Sequence, residues 1–118
     1  MKRPEILAFL SDISRACALV QRFTARKTLA DYVADPMLRS AVERQFEIIG
    51  EALRRAIALD PSLGERISDA ARIIAFRNRL IHGYATVSDE VVWGVLEGSL
   101  ERLEREVRSL LGDTGKPA

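Results

Sequence analysis

The chain has very little of two residue types that mark particular classes of protein. It contains one cysteine, Cys17, and one histidine, His82, among 118 residues. An internal disulfide is therefore excluded, and there is no cluster of cysteine and histidine side chains for a zinc site. We expect neither a metal nor a cofactor, and a lone thiol suits a reducing cytoplasm.

Long apolar runs are also lacking, although apolar residues make up 47% of the sequence. No uncharged apolar segment approaches the roughly 18 residues needed to cross a bilayer, and the first residues do not resemble a signal peptide. With 18 basic and 17 acidic residues, the net charge is +1. Any nucleic acid must therefore be bound by a local patch. These features predict a cytoplasmic protein that does not bind membranes.

What the sequence has instead is a helix-forming composition, rich in alanine, leucine, isoleucine, arginine and glutamate. Apolar residues recur at helical spacing in four segments, residues 4–23, 36–59, 65–82 and 89–111, with a short helical turn at 28–33. Asp35 and Ser88 are candidate helix caps. The sequence predicts one all-α domain over residues 1–111, an up-and-down four-helix bundle, and a disordered tail over residues 112–118.

One residue violates the apolar pattern of the third predicted helix. At about 100° per residue, Arg77 points into the middle of the apolar arc, between Ile73 and Ile81. A guanidinium group in that position must be paired or must face a cleft. One interpretation is an internal ion pair with Glu47 or Glu51 of the second helix. The other is an anion-binding site at a groove or dimer interface, and the periodicity favours neither.

The only histidine of the chain follows at the end of the same helix. His82 lies about 140° around the helix from Arg77, and it is the only side chain whose ordinary titration range is near neutral pH. A lone histidine is more often structural than catalytic, but its closeness to the anomalous arginine favours a functional site. Asn78 falls at the edge of the apolar arc, whereas Arg79 points to solvent as ordinary surface.

These residues resemble the motif of a known family. Arg77, His82 and Tyr84 reproduce the pattern Arg-x4-His-x-Tyr of HepT-like proteins in the HEPN (higher eukaryotes and prokaryotes nucleotide-binding) superfamily. Residues 42–52 resemble the family's second-helix phrase, and Val91-Val92-Trp93 resembles the start of its last helix. The resemblance spans roughly residues 5–110, with three phrases in order at plausible spacing.

The resemblance implies a homodimer whose motif lines a cleft at the dimer interface. It implies a metal-independent endoribonuclease that is the toxin of a type VII toxin–antitoxin pair, with Arg77 and His82 as catalytic residues. The RNA target is open between tRNA and mRNA. The antitoxin of such pairs, MntA, is a minimal nucleotidyltransferase that adenylylates the motif tyrosine, which is Tyr84 here.

The residue chemistry is compatible with metal-free RNA cleavage, which needs a base, an acid and a cation. Arg77 suits the cation and His82 suits proton transfer, and a twofold dimer would supply a second histidine. Asn78 has a supporting role, either orienting His82 or binding phosphate, unless it only satisfies buried backbone. Two other functions stay open: a non-catalytic nucleotide-binding or adaptor subunit for a nucleotidyltransferase, and a plain helical dimerisation module.

Overall fold

The computed structural model describes residues 3–115, leaving the side chains of Tyr84 and residues 113–115 outside the description. All regular elements in this range are helical, which confirms the predicted all-α class. They are α1 (Pro4–Thr24), α2 (Leu29–Ala34), α3 (Pro36–Leu59), α4 (Leu63–Arg66), α5 (Ala70–His82), a 3-10 turn (Tyr84–Thr86) and α6 (Asp89–Gly115).

The four long helices α1, α3, α5 and α6 form the bundle. Helix α1 packs against α3 and α6, and α3 packs against α5, so α3 lies between α1 and the helix that contains the motif. Their buried faces meet in one core, to which α1 contributes Ile6, Leu10, Ile13, Ala16, Cys17 and Val20. Each fully buried aliphatic side chain of this kind contributes about 1.5–3 kcal/mol relative to an exposed one. The core therefore fixes α3, and α3 in turn fixes the position of α5.

Local capping determines where two of these helices begin. The Asp35 carboxylate accepts hydrogen bonds from the backbone N–H groups of Met37 (3.0 Å) and Leu38 (3.1 Å), and Pro36 occupies the first turn. The Ser88 hydroxyl oxygen accepts from the N–H of Val91 at 3.2 Å, at the start of α6. Both caps were predicted, because short polar side chains satisfy N–H groups that have no partner within the helix.

The third predicted helix, residues 65–82, is interrupted in the structure. Helix α4 ends at Arg66 and α5 begins only at Ala70. Between them, the N–H and hydroxyl of Ser68 donate to the Glu106 carboxylate of α6, at 3.0 and 2.5 Å. Asp69 accepts two hydrogen bonds from Arg102, also on α6. The break follows because the Glu106 carboxylate takes a backbone N–H that a continuous helix would use.

The last helix extends beyond its predicted end near residue 111. Helix α6 continues to Gly115, and the rest of the predicted disordered tail, residues 116–118, lies outside the described range. Across residues 3–115, none of the helices has the length and apolar character needed to cross a membrane.

Candidate functional site

Arg77 lies on α5 with its side chain 19% exposed, at the contact between α5 and α3. Its Nη2 is 3.0 Å from Oε1 of Glu51 on α3. Of the two acidic partners proposed for an internal ion pair, the structure therefore selects Glu51. The other candidate, Glu47, is paired instead with Arg44 at 3.3 Å.

The absence of a side chain at Gly50 leaves room for Arg77 at the contact between α3 and α5. A Cβ atom built at Gly50 would be 2.2 Å from Cβ and 2.6 Å from Cγ of Arg77. The aliphatic stem of Arg77 therefore packs directly on the backbone of α3. Sequence reasoning missed this contact, although a glycine inside a long helix is a usable signal because it destabilises the helix by about 1 kcal/mol relative to alanine.

Glu51 pairs with two arginines in addition to Arg77. Its carboxylate also accepts from Nε (3.1 Å) and Nη2 (2.8 Å) of Arg54, and from Nε of Arg55 (2.8 Å). Hydrogen bonds donated by Arg54 and then by Arg55 lower the pKa of Glu51 to about 2, with a smaller contribution from the charge of Arg77. The carboxylate is therefore ionised at neutral pH. One negative charge shared by three guanidinium groups leaves two positive charges that Glu51 does not compensate.

Asn78 completes the surroundings of Arg77. Its Oδ1 accepts from Nη1 of Arg77 at 2.9 Å, while the residue itself is exposed. The Nε of Arg77 is buried and has no hydrogen-bond partner within the described part of the chain. No described contact joins Asn78 to His82, which it was predicted to orient, and its observed partner is Arg77.

His82 is the last residue of α5, and it is exposed. Five residues of helix separate it from Arg77 by about 7.5 Å along the axis and about 140° around it. Within residues 3–115, no hydrogen bond or ion pair joins the two side chains. One chain thus brings Arg77, Asn78 and Glu51 together and leaves His82 on a different side of the helix end.

The turn that contains Tyr84 is tied back to α5. Nη2 of Arg79 donates to the carbonyl of Thr86 at 3.2 Å, and the Thr86 hydroxyl donates to the carbonyl of Gly83 at 2.7 Å. The interpretation of Arg79 as ordinary surface was therefore incomplete, because this arginine anchors the turn. The hydrogen bonds fix the backbone of residues 84–86 at the end of α5.

Carboxylate, histidine and cysteine side chains do not gather elsewhere in the described range. Among the side chains that the structure describes, no group of three or more of them lies close enough together to hold a metal ion.

Comparisons with known proteins match most of the chain. The family model described as Ribonuclease HepT-like matches residues 13–110. A protein of Caldanaerobacter subterraneus subsp. tengcongensis, named "Putative RNase", is 30% identical over 113 residues, which are 94% of this chain and 96% of the relative. "Probable ribonuclease HepT" of Thermococcus cleftensis is 31% identical over 106 residues, 86% of this chain and 92% of the relative.

A third relative, from Methanocaldococcus jannaschii and also named "Putative RNase", is 28% identical over 109 residues, 91% of this chain and 97% of the relative. No solved structure is significantly similar to this chain. The family match covers both α3, which contains Gly50 and Glu51, and α5, which contains the Arg-x4-His-x-Tyr motif. The chain therefore belongs to the Ribonuclease HepT-like family, as the motif predicted.

Proposed function

We propose that this chain is a metal-independent endoribonuclease that acts as the toxin of a toxin–antitoxin pair, with Arg77 and His82 as its catalytic residues. The observation that supports the proposal is the fixed position of Arg77. A guanidinium group is held by Glu51 and Asn78, beside two further arginines, one and a half helical turns before an exposed histidine. Family membership supplies the reaction class.

In the proposed reaction, the 2′-oxygen of the RNA attacks the adjacent phosphorus and the bond from phosphorus to the 5′-oxygen breaks. A base takes the 2′-hydroxyl proton, and an acid gives a proton to the leaving 5′-oxygen. Arg77 stabilises the negative charge that develops on the phosphoryl oxygens, because its guanidinium stays charged and can donate two parallel hydrogen bonds. Asn78 positions Arg77 by accepting from its Nη1.

One histidine cannot be the acid and the base in the same step. A twofold homodimer would place a second His82 at the same cleft, so that one copy accepts a proton while the other donates one. The geometry of the single chain is compatible with this arrangement, since His82 and Arg77 point to different sides of α5. In a twofold dimer, His82 of one copy could lie beside Arg77 of the other.

Tyr84 is the proposed control point. A partner nucleotidyltransferase of the MntA kind would transfer AMP from ATP to the phenol oxygen, with release of pyrophosphate. The added phosphate would bring negative charge and bulk to the turn after α5, where it would compete with RNA for the arginines. The hydrogen bond from Arg79 to Thr86 supports this role, because it holds the backbone of the modified residue against the motif helix.

Cleavage of RNA without metal tests the catalytic proposal. The purified protein, its Arg77→Ala variant and its His82→Ala variant are incubated with total RNA in EDTA, with Arg72→Ala as the control because Arg72 is an exposed arginine of the same helix. We expect cleavage by the wild type and by Arg72→Ala, and loss of most of it in the other two. Equal cleavage by wild type and His82→Ala would refute the role of the histidine.

Mass spectrometry tests the modification. The wild type and Tyr84→Phe are incubated with ATP and the nucleotidyltransferase encoded beside the gene, if one is present. We expect the mass of one AMP to be added to the wild type only. The same gain on both proteins would show that another residue is the target.

The alternative function is a non-catalytic nucleotide-binding or adaptor subunit that works with a nucleotidyltransferase. The observation that favours it is the low exposure of Arg77, 19%, in its ion pair with Glu51. This alternative predicts no RNA cleavage in any condition and saturable binding of a nucleotide that depends on Arg77.

A further inference from the structure

A groove lies between the start of α1 and the end of α3, beside the Arg77–Glu51 ion pair. Its volume is about 330 Å³, and it is lined by Glu5 and Phe9 of α1 and by Arg54, Arg55, Ala58 and Leu59 of α3. This volume is at the lower end of the range found for small-molecule sites. The groove combines an apolar floor with two cations.

The two cations are available to a ligand. The side chains of Arg54 and Arg55 are 51% and 58% exposed. Among the described contacts, Arg55 uses only its Nε for Glu51, and Arg54 keeps its Nη1 unused. The two guanidinium groups are thus oriented by Glu51 and still have N–H donors for a phosphate, which arginine binds in this forked geometry.

One carboxylate links the arginines of the groove to Arg77 of the proposed catalytic site. The same carboxylate of Glu51 contacts Nη2 of Arg77 at 3.0 Å and Nη2 of Arg54 at 2.8 Å. The two guanidinium groups are therefore separated by no more than two hydrogen bonds and the width of one carboxyl group. Consecutive phosphates of a single strand have a similar spacing, so a strand with one phosphate at Arg77 would bring its neighbour to Arg54 and Arg55.

The apolar floor suits a base. Phe9 is half-buried and partly faces the groove, with Ala58 and Leu59 beside it. Aromatic side chains next to basic ones are the usual platform for single-stranded nucleic acid, because every base can stack on a ring while its phosphate meets a cation. Glu5, which also lines the groove, is an acceptor for the amino group of a base.

We propose that this groove binds the nucleotide next to the scissile phosphate of a single-stranded RNA, with its base on Phe9 and its phosphate on Arg54 and Arg55. The position next to the cut rests on the proposed ribonuclease function. Binding of RNA in the groove does not depend on cleavage, and it can be tested separately.

Binding is measured with the His82→Ala protein and a fluorescent single-stranded oligoribonucleotide, over a series of salt concentrations. Into this background we introduce Arg54→Gln with Arg55→Gln, or Phe9→Leu, which keeps an apolar side chain but removes the ring. The control is Arg105→Gln, because Arg105 is an exposed arginine (68%) in an ion pair on α6.

The arginine double variant should change the salt dependence of binding, whereas Phe9→Leu should change the affinity alone. Loss of one or two phosphate contacts should reduce the slope of log K against log salt by about 0.7 to 1.4. Loss of stacking in Phe9→Leu should weaken binding by roughly 5- to 100-fold and leave the slope unchanged. The Arg105→Gln control should match its parent. If both groove variants also match the parent, the groove does not bind RNA and the proposal is wrong.

A cleavage assay distinguishes direct binding of RNA in the groove from an indirect effect on Arg77. It uses the same groove variants in the protein that keeps His82. In the arginine double variant, kcat/KM should fall further on a long RNA than on a dinucleotide, which contains only the scissile phosphate. An equal fall on both substrates would mean that Arg54 and Arg55 act only through Glu51, which overturns the proposal. A changed oligomeric state of the double variant in light scattering would also overturn it, because the groove would then be a contact between copies. Absence of cleavage by the wild type would refute the ribonuclease function. The binding series would still show whether the groove binds RNA.

Discussion

Replacement of Gly50 by alanine is the sharpest test of how Arg77 is held. The new Cβ would be 2.2 Å from Cβ of Arg77, whereas carbon atoms in contact are normally about 3.5–4.0 Å apart. Rotation of the arginine side chain cannot relieve this overlap, because its Cβ is attached directly to the backbone of α5. Helices α3 and α5 must therefore separate by more than about 1 Å, which breaks a contact on which the core depends.

The expected magnitude is a balance of two terms. Overpacking of this kind destabilises by about 1–3 kcal/mol, and the better helix propensity of alanine returns up to about 1 kcal/mol. We expect Gly50→Ala to lower the free energy of unfolding by about 1–2 kcal/mol, or the Tm by roughly 3–10 °C. If the proposed function holds, displacement of the guanidinium by about 1 Å should also reduce RNA cleavage by about a hundredfold.

Urea unfolding followed by circular dichroism measures the first effect, with Gly98→Ala as the matched control. Gly98 also lies inside a helix, α6, but a Cβ there would meet no other atom within 4 Å. The control should be as stable as the wild type or up to about 1 kcal/mol more stable. If Gly50→Ala behaves like Gly98→Ala, the close approach of Arg77 to α3 is wrong, and so is the account of how the site is positioned.

Three further predictions concern the elements that surround the site. Asp35→Ala should destabilise the protein by about 1 kcal/mol in thermal unfolding, because the N–H groups of Met37 and Leu38 lose their acceptor; an unchanged Tm would contradict the cap. Glu106→Gln should weaken the hold on Ser68 and speed amide hydrogen exchange at the junction of α4 and α5, while exchange in the middle of α3 should stay as slow as in the wild type. Because the pKa of Glu51 is lowered in the folded protein from 4.5 to about 2, its ionised form stabilises the fold above pH 4.5, and that contribution is lost as the pH falls from 4.5 towards 2. The stability difference between wild type and Glu51→Gln in urea should therefore be largest near neutral pH and shrink below pH 4.5, and a difference that does not vary with pH would contradict the lowered pKa.

The features that the sequence could predict are local ones. Helix periodicity and the caps at Asp35 and Ser88 depend on residues within a few positions of each other, and the structure confirms them. The break before Ala70 could not be predicted in this way. It depends on Glu106, which is 38 residues from Ser68 and reaches it only after α6 has folded back.

The site shows the same limit. Periodicity identified Arg77 as anomalous, and of its two predicted partners, Glu47 and Glu51, the structure shows Glu51. Gly50 was a signal in the sequence, but the residue for which it leaves room, Arg77, is identified only by the packing of α5 on α3. Periodicity also placed Ile81 in the apolar arc, yet its side chain is 39% exposed. A helical pattern identifies which residues share a face, but it does not reveal how far along that face another helix extends.

The single cysteine has a practical consequence for experiments in solution. Cys17 is fully buried on α1, and burial, together with the charge of Glu104, raises the pKa of its thiol to about 12. Alkylating reagents react with the thiolate. The native chain should therefore not react with iodoacetamide until the contacts of α1 with α3 and α6 open. The labelling rate of the unmodified protein would then measure how often that part of the core opens. A cysteine introduced at an exposed position would be the only fast-reacting thiol, so the distance between two copies in a dimer could be measured by fluorescence transfer without removing the native residue.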